Sequence, residues 1–405
     1  MNKELFLKNA HIILKDKEIK NGFIKIVNDK IVLINDMNQF LKLHLSDNKK
    51  IIDLKHQVLM PGFIDPHVHG GYNHDFETSS KVDFSDFATK IAQEGVTSFC
   101  QATVTQSFDV LKKSFQLYQQ WLQENKSSQT QAKQIGIHME GPFLSKEKKG
   151  AHKLSLLQQP NQEMVAKLIK ASGNNIKVIT YALELDDLKL SFSKFLHQNH
   201  ILASIGHSNI LAKEFLAKYQ KVKIHQVTHL HNGMSTYSHF TTGHGKEAGL
   251  VTAALLADDV YCELISDGIH NNKETVALTY KIKGYQKIIL ITDAMKAKGL
   301  KNGFYKLGPL DVYKDDYQVT LKDSNLLAGS VAKFDHCFRK FKEFTNANYV
   351  QMSHVSSLNA AKQLQVDHLV GSIEINKDAD LVCLDNDDQV VLTISKGKII
   401  FQKNV

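Results

Sequence analysis

Arginine is almost absent from this chain. Of its 50 basic residues only Arg339 is an arginine, and the rest are lysine. The formal charge of +8 therefore does not read as a nucleic-acid surface, which relies on arginine forks, aromatics and clustered charge. Dispersed lysines of this kind suit, at most, the attraction of a small anionic substrate. Cysteine is scarce too. Cys100, Cys262, Cys337 and Cys383 lie far apart with no C-x-x-C pair, which argues against a disulfide framework or a zinc finger. Small buried residues in a reducing compartment are expected instead. No apolar run approaches the ~20 residues that span a bilayer, and Met1-Asn2-Lys3-Glu4 opens no signal-peptide core. A cytoplasmic protein without a membrane partner is the expectation. Walker, G-x-G-x-x-G and G-x-S-x-G signatures are missing, which sets aside a nucleotide loop and a serine-hydrolase elbow.

What the chain does have is alternation. Eight near-continuous apolar runs, 58–64, 98–104, 134–138, 176–183, 201–205, 223–228, 260–266 and 287–291, read as strands buried on both faces. Helical spacing separates them, for instance over 84–94, 110–124, 161–171 and 213–221. Eight strand-then-helix units predict an α/β fold with a (β/α)8 TIM-type barrel. The ends of the chain differ. Short runs at 10–14, 23–27 and 31–34, and again at 380–384, 390–394 and 398–401, read as antiparallel strands with tight turns. Neither end makes a good core alone. The expectation is a small β-sandwich domain from residues 1–54 and 371–405, and a barrel over 55–370.

The chemistry lies where the apolar runs stop. His67 and His69 follow the first, two residues apart, so an extended strand points both to one face, as chelation of one metal requires. Glu140 follows the third run as a ligand or a solvated loop acid, and His207 and His229 follow the fifth and sixth. A single histidine at a strand end is more often structural, but three strand-end candidates in barrel order favour a shared metal. Asp293 ends the eighth, either capping the next turn or acting as general base on water and then acid to a leaving amine. His270, past the seventh run, either binds substrate or starts a helix.

Pro61–Gly70, His138–Phe143, Gly150-Ala151-His152, Gly206-His207-Ser208, Thr228–Met234, Asp267–His270, Thr292–Met295 and Leu327–Ser330 together resemble the amidohydrolase superfamily. Within it they resemble the N-acetylglucosamine-6-phosphate deacetylases. That resemblance implies a divalent metal, one or two per subunit, with zinc first and iron, manganese or cobalt as alternatives. It implies Glu140, His207 and His229 as primary ligands, with His67 and His69 holding a second metal or left partly vacant. It makes Asp293 the acid-base, and His152 the group that polarises the acetyl carbonyl. Ala151, Asn232, Gly233, Leu327, Ala328 and Gly329 would line a sugar site, with His270 near the phosphate. Partners implied are a phosphorylated amino-sugar substrate and a second copy in a homodimer.

One departure stands out. Where the family has an arginine in a phosphate-gripping loop, this chain has Gly245-Lys246-Glu247-Ala248-Gly249, after a loop containing His239 and His244. Lysine neutralises phosphate without arginine's two-pronged contact. Lys246 as a substitute is the reading taken. The alternatives are another N-acyl amino sugar or amide as substrate, or a non-catalytic binding protein on the same scaffold. The last would be expected to have lost ligands, and here the set is intact.

Overall fold

A computed structural model describes residues 3–43, 49–125, 130–239 and 245–403. Eight parallel strands form one sheet: β1 (Phe63–Val68), β2 (Val96–Thr103), β3 (Lys133–Glu140), β4 (Ile176–Tyr181), β5 (Leu202–Ile205), β6 (Gln226–Val227), β7 (Tyr261–Ile265) and β8 (Ile288–Ile291). They pair in that order, and the sheet curls into a nearly closed barrel. Among the described residues β8 and β1 share no ladder. They are joined instead by Asp293 N donating to His67 O at 3.0 Å and by Thr292 Oγ1 donating to Asp65 Oδ2 at 2.6 Å.

Each strand leads to a helix on the outside: Lys81–Lys90, Phe108–Glu124, Gln162–Ala171, Ser191–Gln198, Ala212–Lys218, Leu250–Leu256, Lys273–Lys283 and Phe334–Thr345. Local chemistry sets several starts. The side chains of Ser80, Ser107, Asn161 and Asn272 each accept the backbone N–H three residues on, satisfying a donor the helix cannot. In the Phe108–Glu124 helix, Leu111, Phe115, Tyr118 and Trp121 are buried, which is the expected apolar face at helical spacing.

The run 58–64 is not one strand. It divides at Gly62, where an added Cβ would meet the Thr97 side chain at 2.3 Å. Phe63 onward enters the barrel, while Val58–Pro61 pairs with Glu4–Ile13 and Leu381–Leu384. Both ends of the chain thus meet in one eight-stranded sheet, ordered Lys398–Gln402, Val390–Ser395, Leu381–Leu384, Val58–Pro61, Glu4–Ile13, Glu18–Val27 and Lys30–Asp36. Lys50–Asp53 pairs alongside Glu4–Ile13. Leu7, Ile12, Ile24, Leu59, Leu381 and Ile394 belong to its own buried cluster. A three-stranded sheet, Gly303–Leu307, Leu310–Lys314 and Val319–Leu321, was not expected; it follows β8 and packs Leu307, Val312 and Val319 in one cluster with Met295 and Ala328.

Ion pairs tie the terminal sheet to the barrel. Asp378 meets Lys30 at 2.6 Å and Lys133, at the start of β3, at 3.0 Å. Burial disfavours its charge, but Lys133 and Lys30 outweigh that and hold Asp378 below the usual carboxylate range. A depressed value stabilises the fold above the unfolded pKa of about 4 and is lost as pH falls through the folded one. The melting temperature should therefore fall on acidification below about pH 4. Asp378→Asn should melt lower at neutral pH and lose less between pH 5 and pH 3, as read by thermal denaturation across that range.

Candidate active site

The rim at the strand C-termini collects the polar residues. His67 is next to last in β1 with His69 just beyond its end, Glu140 ends β3, His207 follows β5, His229 follows β6 and Asp293 follows β8. His207, His229 and Asp293 turn their backbones into the left-handed region, at φ 47°, 31° and 51°. Few side chains adopt that conformation without support, and it swings each one from its strand end towards the barrel axis. Asp293 is anchored further, since its carbonyl accepts Ser330 N at 2.8 Å.

Glu140 is the centre. Its Oε1 lies 2.9 Å from His229 Nε2 and 3.4 Å from His207 Nε2. Its Oε2 faces the other pair, His69 Nε2 at 3.3 Å and His67 Nε2 at 3.7 Å. Asp293 Oδ1 closes that side, 2.9 Å from His69 Nε2 and 3.3 Å from His67 Nε2. The structure therefore brings together all six residues expected at the metal and the acid-base position.

The donor set fits a divalent cation. Ligand atoms of His67, His69, Glu140 and Asp293 lie within 4.8 Å of one another, all buried. His67 Nε2 is buried, faces both carboxylates and, among the described residues, makes no hydrogen bond. Two buried carboxylates so close need positive charge beside them. Burial resists ionisation of Glu140, yet the histidines around it, His67 first, hold it well below its usual range. Asp293 is likewise held low despite burial, by its hydrogen bond to His69 and the nearby His67. The opposite faces show on the rings. Burial disfavours the charged form of His69, but Asp293 and Glu140 outweigh it and raise the ring to about 9. Imidazole nitrogens with carboxylate oxygens suit zinc and other divalent transition metals.

His152 plays another part. Its Nδ1 accepts Thr105 N at 3.2 Å and lies 2.8 Å from Thr105 Oγ1. Burial pushes the ring down to about 4, so it is neutral at pH 7, and the accepting Nδ1 leaves the hydrogen on Nε2. Nε2 lies 3.5 Å from Glu140 Oε2, on the cavity side, where its hydrogen can be donated to an oxygen gaining charge.

Above lies a cavity of about 530 Å³. Ala151, His152, Asn232, Gly233, His270, Leu327 and Gly329 line it, as expected, with His69, Glu140, His207, His229 and Asp293 at its floor. Ala328 does not. Leu327 and Gly329 face the cavity, and the intervening Ala328 is fully buried in the cluster with Met295, Leu307 and Val319. Lys246 is also outside the lining. It is exposed at the start of Lys246–Ala248, in a hairpin with Tyr237–His239. His244 and the side chain of His239 lie outside the described residues. His270 is positioned by Asp267, whose Oδ2 meets its Nδ1 at 2.7 Å.

Sequence reasoning missed Glu147, Lys148 and Asn325, which also line the cavity, and the support beneath the floor. Lys148 holds His207 through its carbonyl, 2.7 Å from Nδ1, a backbone contact with no sequence signal. Gly233 has one. At φ 56°, an added Cβ would sit 2.7 Å from His207 Nδ1. Gly233→Ala should push that ring aside. Because displacements near 1 Å can cost about 10²-fold, turnover is expected to fall by about that factor, with bound metal reduced in elemental analysis.

A sequence model of the amidohydrolase family matches residues 58–400. N-acetylglucosamine-6-phosphate deacetylase of Bacillus subtilis is 34% identical over 401 residues, 99% of this chain and 98% of that one. The crystal structure of the Thermotoga maritima N-acetylglucosamine-6-phosphate deacetylase superposes with a TM-score of 0.84 at 33% identity, covering 98% of this chain and all of the other. A Mycobacterium smegmatis deacetylase mutant, in complex with N-acetyl-D-glucosamine-6-phosphate, shares the fold at 22% identity and a TM-score of 0.86. The chain belongs to the amidohydrolase family and, within it, to the group of the N-acetylglucosamine-6-phosphate deacetylases.

Proposed function

We propose that this protein hydrolyses N-acetyl-D-glucosamine 6-phosphate to D-glucosamine 6-phosphate and acetate, in amino-sugar breakdown or recycling. One observation carries the chemistry: Glu140 and Asp293 converge with His69, His207 and His229 on the floor of the cavity and with His67 buried just beneath it. The substrate follows from relatives of that name matched over nearly the whole chain. Glu140, His207, His229, His67 and His69 would hold one or two divalent cations, zinc first among zinc, iron, manganese and cobalt. Bound there, such a cation supplies Lewis-acid polarisation of the acyl oxygen and acidifies water.

The chain's own groups do the rest. Asp293, ionised at neutral pH, takes a proton from the attacking water as its oxygen bonds to the acyl carbon. It returns that proton to the sugar nitrogen as the C–N bond breaks, so the amine leaves neutral. His152 donates from Nε2 to the acyl oxygen as charge grows there. Ala151, Asn232, Gly233, Leu327 and Gly329 shape the sugar site, and His270 stands towards the phosphate. Lys246 reaches the phosphate from a neighbouring copy in a homodimer. Its exposure on a hairpin outside its own cavity supports that reading. In the same proposal residues 1–54 and 371–405, with Val58–Pro61 paired between them, act as a small β-domain beside the barrel, in the cytoplasm. No described helix is long and apolar enough to cross a membrane.

The test is acetate release from N-acetylglucosamine 6-phosphate beside the unphosphorylated sugar, with enzyme of known metal content. Turnover confined to the phosphorylated sugar is the expected result. Turnover of neither by metal-loaded protein would move the substrate to another N-acyl amino sugar or amide. The lysine at position 246 is the observation that favours that second reading.

A further inference from the structure

Glu263 stands mid-strand in β7, between Cys262 and Leu264, with no exposed surface. A carboxylate at such a place must be answered by donors. Two are present. Gln226, in β6, gives its Nε2–H to Oε1 at 2.8 Å, and His67 Nδ1 lies 3.1 Å from Oε2. With Oε2 as the acceptor of this contact, the His67 hydrogen sits on Nδ1. Nε2, which has no hydrogen-bond partner among the described residues and faces Glu140 and Asp293, is then the nitrogen left to offer a lone pair to a cation.

The neighbouring His138 is engaged elsewhere. Its Nδ1 donates to Pro66 O at 3.1 Å and its Nε2 accepts from Thr180 Oγ1 at 2.7 Å. Thr180 continues to Thr228 at 2.7 Å, and Thr228 to Ser204 at 2.6 Å. Those bonds orient His138 and leave Glu263 to His67. The barrel interior below the floor thus carries a polar layer, and its one carboxylate–imidazole contact within hydrogen-bond distance, among the described residues, is aimed at His67.

We propose that Glu263, held by Gln226, is a positioning residue that fixes the tautomer and ring plane of His67. It thereby sets how tightly the His67 side of the site grips a divalent cation. The inference rests on His67 as a ligand, as read above, but not on the substrate. Partners behind a metal-binding histidine are worth about 10–100-fold in affinity.

Zinc titration of metal-free protein against a chromophoric chelator tests it, with stoichiometry from elemental mass spectrometry. Glu263→Gln should weaken, by about 10–100-fold, the same zinc binding that His67→Gln weakens. In a His67→Gln background, adding Glu263→Gln should cause no further loss. Nitrogen-15 spectra of zinc-loaded wild type should show His67 protonated at Nδ1 and metal-bound at Nε2. Gln226→Met, a second variant should the first not fold, should give a smaller loss of the same sign. Unchanged zinc affinity in Glu263→Gln, or an equal loss with and without His67, would overturn the proposal. Wild type that takes up no zinc would overturn the ligand reading and this inference with it, whatever the substrate.

Discussion

Asp293→Asn is expected to lower kcat for acetate release by about 10³-fold while leaving KM within a few-fold, which steady-state kinetics with metal-matched enzyme would show. The substitution keeps the size and the strand-end conformation but removes the site that accepts a proton. Asp293 is the only carboxylate besides Glu140 at the cavity floor among the described residues, and Glu140 is taken up by the histidines around it. Its ionised state is secured by His69 and His67, so at neutral pH it starts as a base. The amide of asparagine can still hydrogen-bond His69, which is why metal content should fall less than activity. A variant within tenfold of wild type, with full metal, would remove Asp293 from the proton path.

The barrel was legible because most of its strands lie in apolar runs that stop at a polar residue, although β6 is only Gln226–Val227. His67 and His69 were readable for a simpler reason: period two puts both on one face, and both rings do meet Glu140 Oε2. Burial alone cannot show a change of partner. Val58–Pro61 and Phe63–Val68 are buried throughout, so nothing in their hydrophobicity marks the passage from one sheet to another at Gly62. The 303–321 sheet was missed for the opposite reason. Phe304 and Tyr313 are exposed there, and its short alternating strands resemble a loop.

At the site, residues that end strands were found and residues that support them were not. Ala328 shows the limit of reading a motif as a block, since alternate residues of Leu327-Ala328-Gly329 face opposite ways. Lys148 acts through its carbonyl, which no side-chain pattern reveals. Glu263 did carry a signal. An acid inside an otherwise apolar strand has to be paired, and the histidine motif at the end of β1 supplies the partner.

Glu140→Gln should do the most damage of any single substitution to metal retention. The two oxygens of Glu140 serve different histidine pairs, so one change weakens both sides of the site at once. Removing one member of a buried charge pair costs about 3–5 kcal/mol, which corresponds to roughly two to three and a half orders of magnitude in cation affinity. Glutamine also brings an NH₂ group that must point at one of the two pairs, where the nitrogens need a cation rather than a donor. Elemental analysis after dialysis should find the variant largely stripped of metal, with acetate release at background. Its fold should survive, because the barrel is held by strands and helices packed well below this layer. Circular dichroism like that of wild type, beside lost metal, is the expected pair of results. Full metal retention would mean that the histidines and Asp293 suffice without the carboxylate that now sits between them.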